Sequence, residues 1–95
     1  MQHGRHLLLR EAIGETIRDL RMGTGRTLRE VSADAQISLG YLSEIERGQK
    51  EASSEVLSSI AEAFSMSVGE MMQEVADRLV AFESEAVVYL DRLAA

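Results

Sequence analysis

Ser38 to Gly48 reads S-L-G-Y-L-S-E-I-E-R-G. Ser38 is a preferred N-cap residue, because its hydroxyl can accept a hydrogen bond from an orphan N–H of the first helical turn. Gly48 stands where a helix would stop, and Gly takes the left-handed conformation that a helix end usually needs. About three turns of helix fit between them. Leu42 and Ile45 lie three apart on one face, which predicts their burial. Leu39, Gly40, Ser43 and Arg47 point elsewhere and are mostly small, polar or cationic. A short capped helix with one buried stripe and such an open face suits the major groove of a duplex. A plain packing helix has the same outline, so the flanking sequence has to decide.

Upstream, T-L-R-E at Thr27–Glu30 is a capping box, with the Thr27 hydroxyl reaching forward and the Glu30 carboxylate reaching back. It predicts a short helix from Thr27 to about Ala35, with Leu28, Val31 and Ala35 facing inward. Gln36 and Ile37 then form a tight corner into Ser38. Two short helices joined by three or four residues, with an apolar residue in the turn, make a helix-turn-helix. Ala33 is small enough for the next helix to cross closely. Before this pair, Leu9, Ile13, Ile17 and Leu20 repeat at four, four and three, an amphipathic stripe that predicts a helix from about Leu8 to Met22. Gly14 costs about 1 kcal/mol inside that helix and allows close packing. Gly23 and Gly25 end it.

Downstream, Gln49 to Ser54 reads as a loop. A fourth helix is predicted from about Ser54 to Phe64, with Val56, Leu57, Ile60, Ala61 and Phe64 buried. Ser67-Val68-Gly69-Glu70 is a second capping box and opens a fifth helix. Val68, Met72, Val75, Leu79, Phe82, Ala86, Tyr89 and Leu93 then alternate at four and three, a heptad seam. Its first turns should cap the core; the rest has nothing in its own chain to pack on. We therefore expect Val75, Leu79, Phe82, Ala86, Tyr89 and Leu93 to form a homodimer interface. Only Arg78 and Arg92 balance Glu83, Glu85 and Asp91 on the flanks. The expected architecture is all-α: a flexible arm over 1–7, a five-helix DNA-binding domain over 8–73 and a dimerisation helix over 74–95.

The 95 residues contain no Cys and no Pro, which removes disulfide frameworks and Cys-based metal sites. No apolar run approaches the 18 or so residues of a membrane span. Met1 to Arg10 is polar and then only briefly apolar, which does not read as a secretory signal, so a cytoplasmic protein is expected. His3 and His6 have a spacing open to a metal, but no further ligand accompanies them. Arg5 and Arg10 are candidates for phosphate contacts. The net charge is −6, which at first argues against nucleic acid. The distribution changes that reading. Residues 1–50 carry eight basic and seven acidic side chains, a net of +1, and residues 51–95 carry two and nine, a net of −7. An Arg-dotted end can face DNA while the acidic end faces away.

Taken together, residues 13–64 resemble the lambda repressor and Cro (Xre-type) helix-turn-helix family. Ile13-Gly14-Glu15, Ile17-Arg18 and Leu20-Arg21 look like that family's first helix. Ser43-Glu44-Ile45-Glu46-Arg47-Gly48 is its most specific local signature, and Ile60 to Phe64 fits its fourth helix. Within the family, T-L-R-E-V-S, S-L-G-Y-L-S-E-I-E-R-G and K-E-A-S-S-E look most like the actinobacterial regulators of clp protease genes. Ala52 departs from the pattern, where Pro is frequent. The resemblance implies a lambda repressor-like domain that binds double-stranded DNA as a homodimer. It implies base contacts from Ser38, Leu39, Gly40, Ser43 and Glu44, and backbone contacts from Thr27, Arg29, Tyr41, Arg47, Gln49 and Lys50. It also implies a structural ion pair between Arg21 and Glu46. Activation of protease genes would bring RNA polymerase in as a partner. Leu93-Ala94-Ala95 resembles the small apolar tails that Clp proteases recognise, which would make the protease itself a partner. No cofactor is expected.

Isolated Ser, His and carboxylates on helices form no catalytic constellation, so an enzyme is not expected. The serious rival is an antitoxin or other interaction module on the same fold, with the acidic tail as the partner surface. An antitoxin should carry a partner through purification, and a plain regulator should not. A small-molecule sensor would need a separate domain, which ninety-five residues do not leave room for.

Overall fold

The structure, a computed structural model, describes residues 7–94, and for 86–90 the helical backbone only. The helices run α1 Leu9–Thr24, α2 Leu28–Ala35, α3 Leu39–Glu46, α4 Ser54–Ala63 and α5 Val68–Ala94. There is no strand among the described residues. The arm over residues 1–6, with His3, Arg5 and His6, lies outside them, as does Ala95.

Each helix start has a chemical cause. The Leu8 N–H donates to the Glu11 carboxylate at 2.9 Å. Thr27 and Glu30 exchange both bonds of their capping box, at 2.9 and 3.1 Å. Ser67 and Glu70 do the same at 2.8 and 3.0 Å. Ser38 Oγ accepts from the Tyr41 N–H at 3.1 Å, and Ser53 Oγ from the Val56 N–H at 3.2 Å. The cap of α4 is therefore Ser53, one residue before the expected start. Each such cap is worth about 1 kcal/mol.

Two helix ends hold non-glycine residues in the left-handed region, Gln36 at φ 59° and Ser65 at φ 58°. Such a conformation costs on the order of 1–3 kcal/mol. The ends are closed by bonds that reach back, from the Ile37 N–H to the Ser32 carbonyl and from the Met66 N–H to the Ala61 carbonyl, each 3.0 Å. Ile37 and Met66 both pack on the core. That pairing of a reaching N–H with an apolar contact is the Schellman stop, and it offsets the missing glycine.

Ile17, Val31, Ala35, Leu42, Ile45, Ile60, Ala61 and Met71 form the central core. The expected stripe needs three corrections. On α1, Leu9 is exposed, while Ala12 and Thr16 join Ile17 inside. On α5, Met71 is fully buried and Met72 only half-buried. Val75, expected at a dimer interface, is 2% exposed within this chain and faces its own core. Ala33 is exposed, and a close crossing is found at Gly14.

Arg78 moves the boundary between domain and tail. Its Nε donates to Thr16 Oγ1 at 3.2 Å and its Nη1 to Glu15 at 3.2 Å, and Nη2 pairs with Asp19. Thr16 in turn donates to the Ala12 carbonyl at 2.8 Å. This clasp fastens α5 to α1, so the packed body runs past the expected division at 73/74. It also takes Arg78 away from the α5 flank, where it was expected to balance Glu83 and Glu85.

Candidate nucleic-acid interface

At 100° per residue, Leu42, Ile45 and Glu46 fall on one side of α3, and Leu39, Gly40, Ser43, Glu44 and Arg47 on the other. The first three are buried. Leu39 is 36% exposed, and a Cβ placed on Gly40 would meet nothing within 4 Å. The helix thus presents its first turn to open space. Ser38 uses its oxygen to cap the helix, which leaves its hydroxyl proton available. Ser43 and Glu44 are half-buried. The Arg47 guanidinium donates to Ser43 Oγ and, at 3.3 Å, to Gln49 Oε1. Ser43, Arg47 and Gln49 therefore form one connected polar group at the end of α3.

The expected backbone contacts divide. Thr27 is exposed at the N-cap of α2, where helix N–H groups favour an anion. Arg29 and Lys50 are exposed and form no ion pair among the described residues, so their charge is available. Tyr41 is different. Its hydroxyl donates to the Glu51 carbonyl at 2.9 Å and pins the loop after α3. A phosphate is only an acceptor, so Tyr41 can meet one only by giving up that bond. Arg10 is likewise engaged, donating from Nε to the Gly48 carbonyl at 2.9 Å.

Behind the open face, Arg21 and Glu46 meet as a bidentate pair. Arg21 Nε lies 2.8 Å from Glu46 Oε2 and Nη2 lies 3.0 Å from Oε1. The side chains are 15% and 6% exposed. The remaining guanidinium arm donates to the Arg26 carbonyl at 3.1 Å. The hydrogen bond to Glu46 raises the Arg21 pKa above its ordinary value, against the lowering effect of burial. No buried side-chain polar atom among the described residues is left without a partner. The pair joins α1 to the last turn of α3 and fixes the angle at which α3 stands.

Sequence reasoning left Arg26 without a role. It pairs with Asp34, donates to the Ala63 carbonyl, and places its guanidinium 5.8 Å from the Phe64 ring centre. It therefore ties the start of α2 to the end of α4. An Arg just before a capping box was the only signal for it. No group of three His, Cys, Asp or Glu side chains is gathered for a metal among the described residues.

The helix-turn-helix family model HTH_3 matches residues 17–71. The transcriptional regulator ClgR of Mycobacterium tuberculosis is 51% identical over 72 residues, 76% of this chain and 64% of the relative. The chain thus spans just under two thirds of that relative's length. The crystal structure of the clp gene regulator ClgR from Corynebacterium glutamicum superposes with a TM-score of 0.80 at 42% identity, covering 94% of this chain and 93% of that one. The restriction-modification controller protein C.Esp1396I, solved as a tetramer with its natural 35 base-pair operator, shares the fold with a TM-score of 0.73 at 17% identity, over 79% and 99% of the two chains. With its matched segment, its capped α2–turn–α3 unit and the open face of α3, the chain belongs to the Xre-type helix-turn-helix family.

Proposed function

We propose that the chain is a sequence-specific transcriptional regulator that binds a palindromic DNA operator as a homodimer and activates clp protease and related stress genes. The observation that carries this reading is α3. Its first turn is open around Gly40, while its other side is locked by the Arg21–Glu46 pair. A recognition helix needs that combination of a free edge and a fixed angle. Ser38, Leu39, Gly40, Ser43 and Glu44 meet base edges; Leu39 suits a thymine methyl, and Glu44 accepts from cytosine N4. Thr27, Arg29, Arg47, Gln49 and Lys50 meet the phosphate backbone. The likeness to ClgR supports the choice of target genes. RNA polymerase is the partner that activation requires. The place of action is the cytoplasm. Among the described residues, no helix is long and apolar enough to cross a membrane.

A footprint on the DNA upstream of this gene and of the clp genes tests the proposal. Protection of two half-sites about one helical turn apart is the expected pattern. Absence of protection at every such promoter, at a salt concentration where non-specific binding is weak, would reject the target assignment.

The homodimer rests on α5. Beyond the clasp at Arg78, Leu93 of the seam is 65% exposed and Leu79 and Phe82 are half-buried. Ala86 and Tyr89 belong to the same seam, with side chains outside the described set. Fully burying an exposed aliphatic or aromatic side chain yields roughly 1.5–3 kcal/mol, so several such positions from two chains together supply the driving force against an association cost that starts at about 4 kcal/mol. In analytical ultracentrifugation at micromolar concentration, the wild type should sediment as a dimer. The double variant Leu79→Glu, Phe82→Glu should sediment as a monomer with its helicity retained. A monomeric wild type, or a dimeric double variant, contradicts the interface.

A further inference from the structure

We infer that Gly14 is a positioning residue for DNA reading: it sets the depth at which α3 seats on α1, and through it the specificity of the interface. This deepens the DNA-binding function proposed above and rests on it. A Cβ built on Gly14 would lie 2.2 Å from the Ile45 carbonyl oxygen and 2.7 Å from that of Glu46. Both contacts are backbone, so no side chain can swing away to make room. In the native chain, the Gly14 hydrogen that takes the place of a side chain points at these carbonyls, as Cα–H···O contacts do at close helix crossings.

The same end of α3 touches α1 at two more places. Gly48, at φ 72°, sits so near Glu11 that a Cβ there would lie 2.9 Å from Glu11 Cγ. Arg10 Nε donates to the Gly48 carbonyl at 2.9 Å. Together with Arg21 and Glu46, these contacts hold the C-terminal end of α3 along two turns and more of α1. The base-reading end, Ser38 to Gly40, is the free end of the same short rod. A displacement forced on the last turn is therefore carried to the first, because a packed helix moves as a unit.

The test compares the wild type with Gly14→Ala and Gly14→Ser by circular dichroism, thermal melting, and affinity for operator and for non-operator duplex at fixed salt. A folded variant should lose at least about tenfold in operator affinity, while its non-operator affinity changes less than about twofold. A merely structural role would lower both affinities together, in proportion to the folded fraction. Should the Gly14 variants fail to fold, Arg10→Met loosens the same seat from the surface. It should lower the ratio of operator to non-operator affinity several-fold, with little change in melting temperature. If a folded Gly14 variant or Arg10→Met keeps the wild-type ratio, the positioning role is wrong. If the wild type itself shows no preference for operator, it is the proposed function that fails.

Discussion

Arg21→Ala should lower the stability of the folded domain by about 3–5 kcal/mol, the cost of leaving one member of a buried ion pair without its partner. In a domain of this size each 1 kcal/mol shifts the melting temperature by about 4–8 °C, so a fall well above 10 °C is expected. The geometry supports the upper part of a surface-to-buried range: two parallel bonds, Glu46 only 6% exposed, and a third bond to the Arg26 carbonyl that is lost with the arginine. Glu46→Ala should cost a similar amount. The double variant should cost less than the two single losses together, because the stranded charge is then gone. Strict additivity would mean that the two residues do not interact. The sign of the pH dependence follows from Arg21. Its pKa is raised by Glu46, so its stabilising share is fully present below the unfolded value and is lost only as pH rises through the higher folded value. From the arginine side, the pair therefore holds throughout the neutral range.

That pair was legible in the sequence only through the family resemblance, since nothing in local spacing links residues 21 and 46. The helices themselves were legible locally. The boxes at Thr27 and Ser67 and the cap at Ser38 announce three of the five starts, because capping is chemistry between neighbours in sequence; the Ser53 cap was passed over inside the loop before α4. What failed was whatever depends on which way a helix is turned in three dimensions. The seam on α5 picked Val75 as an inward position but took Met72 where the fold buries Met71, and Val75 turns to its own core instead of to a partner. Gln36 and Ser65 stop helices without the glycine that usually announces a stop, so those ends were softer in the sequence than in the fold. Arg78 is 59 to 63 residues from its acidic partners. Tyr41 is a phosphate contact by the resemblance alone, and the bond from its hydroxyl to the Glu51 carbonyl is one that no side-chain pattern reveals. Within the interface, the split between a buried and an open face of α3 was legible from Leu42 and Ile45 alone. The connection of Ser43, Arg47 and Gln49 was not.

Gly40→Glu should separate folding from binding more sharply than any other single change. A side chain at position 40 meets open space. Glu is better than Gly inside a helix by somewhat less than the ~1 kcal/mol that separates Gly from Ala, and an acid near a helix N-terminus is favoured further. Stability should therefore hold or rise slightly. DNA binding should move the opposite way. The new carboxylate enters the groove where the backbone was to approach, displaces contacts worth about 1–3 kcal/mol each, and faces the negative charge of the phosphates. A loss of about a hundredfold or more in operator affinity is expected, since each 1.4 kcal/mol is tenfold. The deciding measurement is a gel-shift titration of wild type and Gly40→Glu on the same operator at one salt concentration, with helicity and melting temperature recorded on the same samples. A folded variant that no longer shifts the operator is the expected result. A folded variant that binds as tightly as the wild type would show that α3 is not the helix that reads DNA.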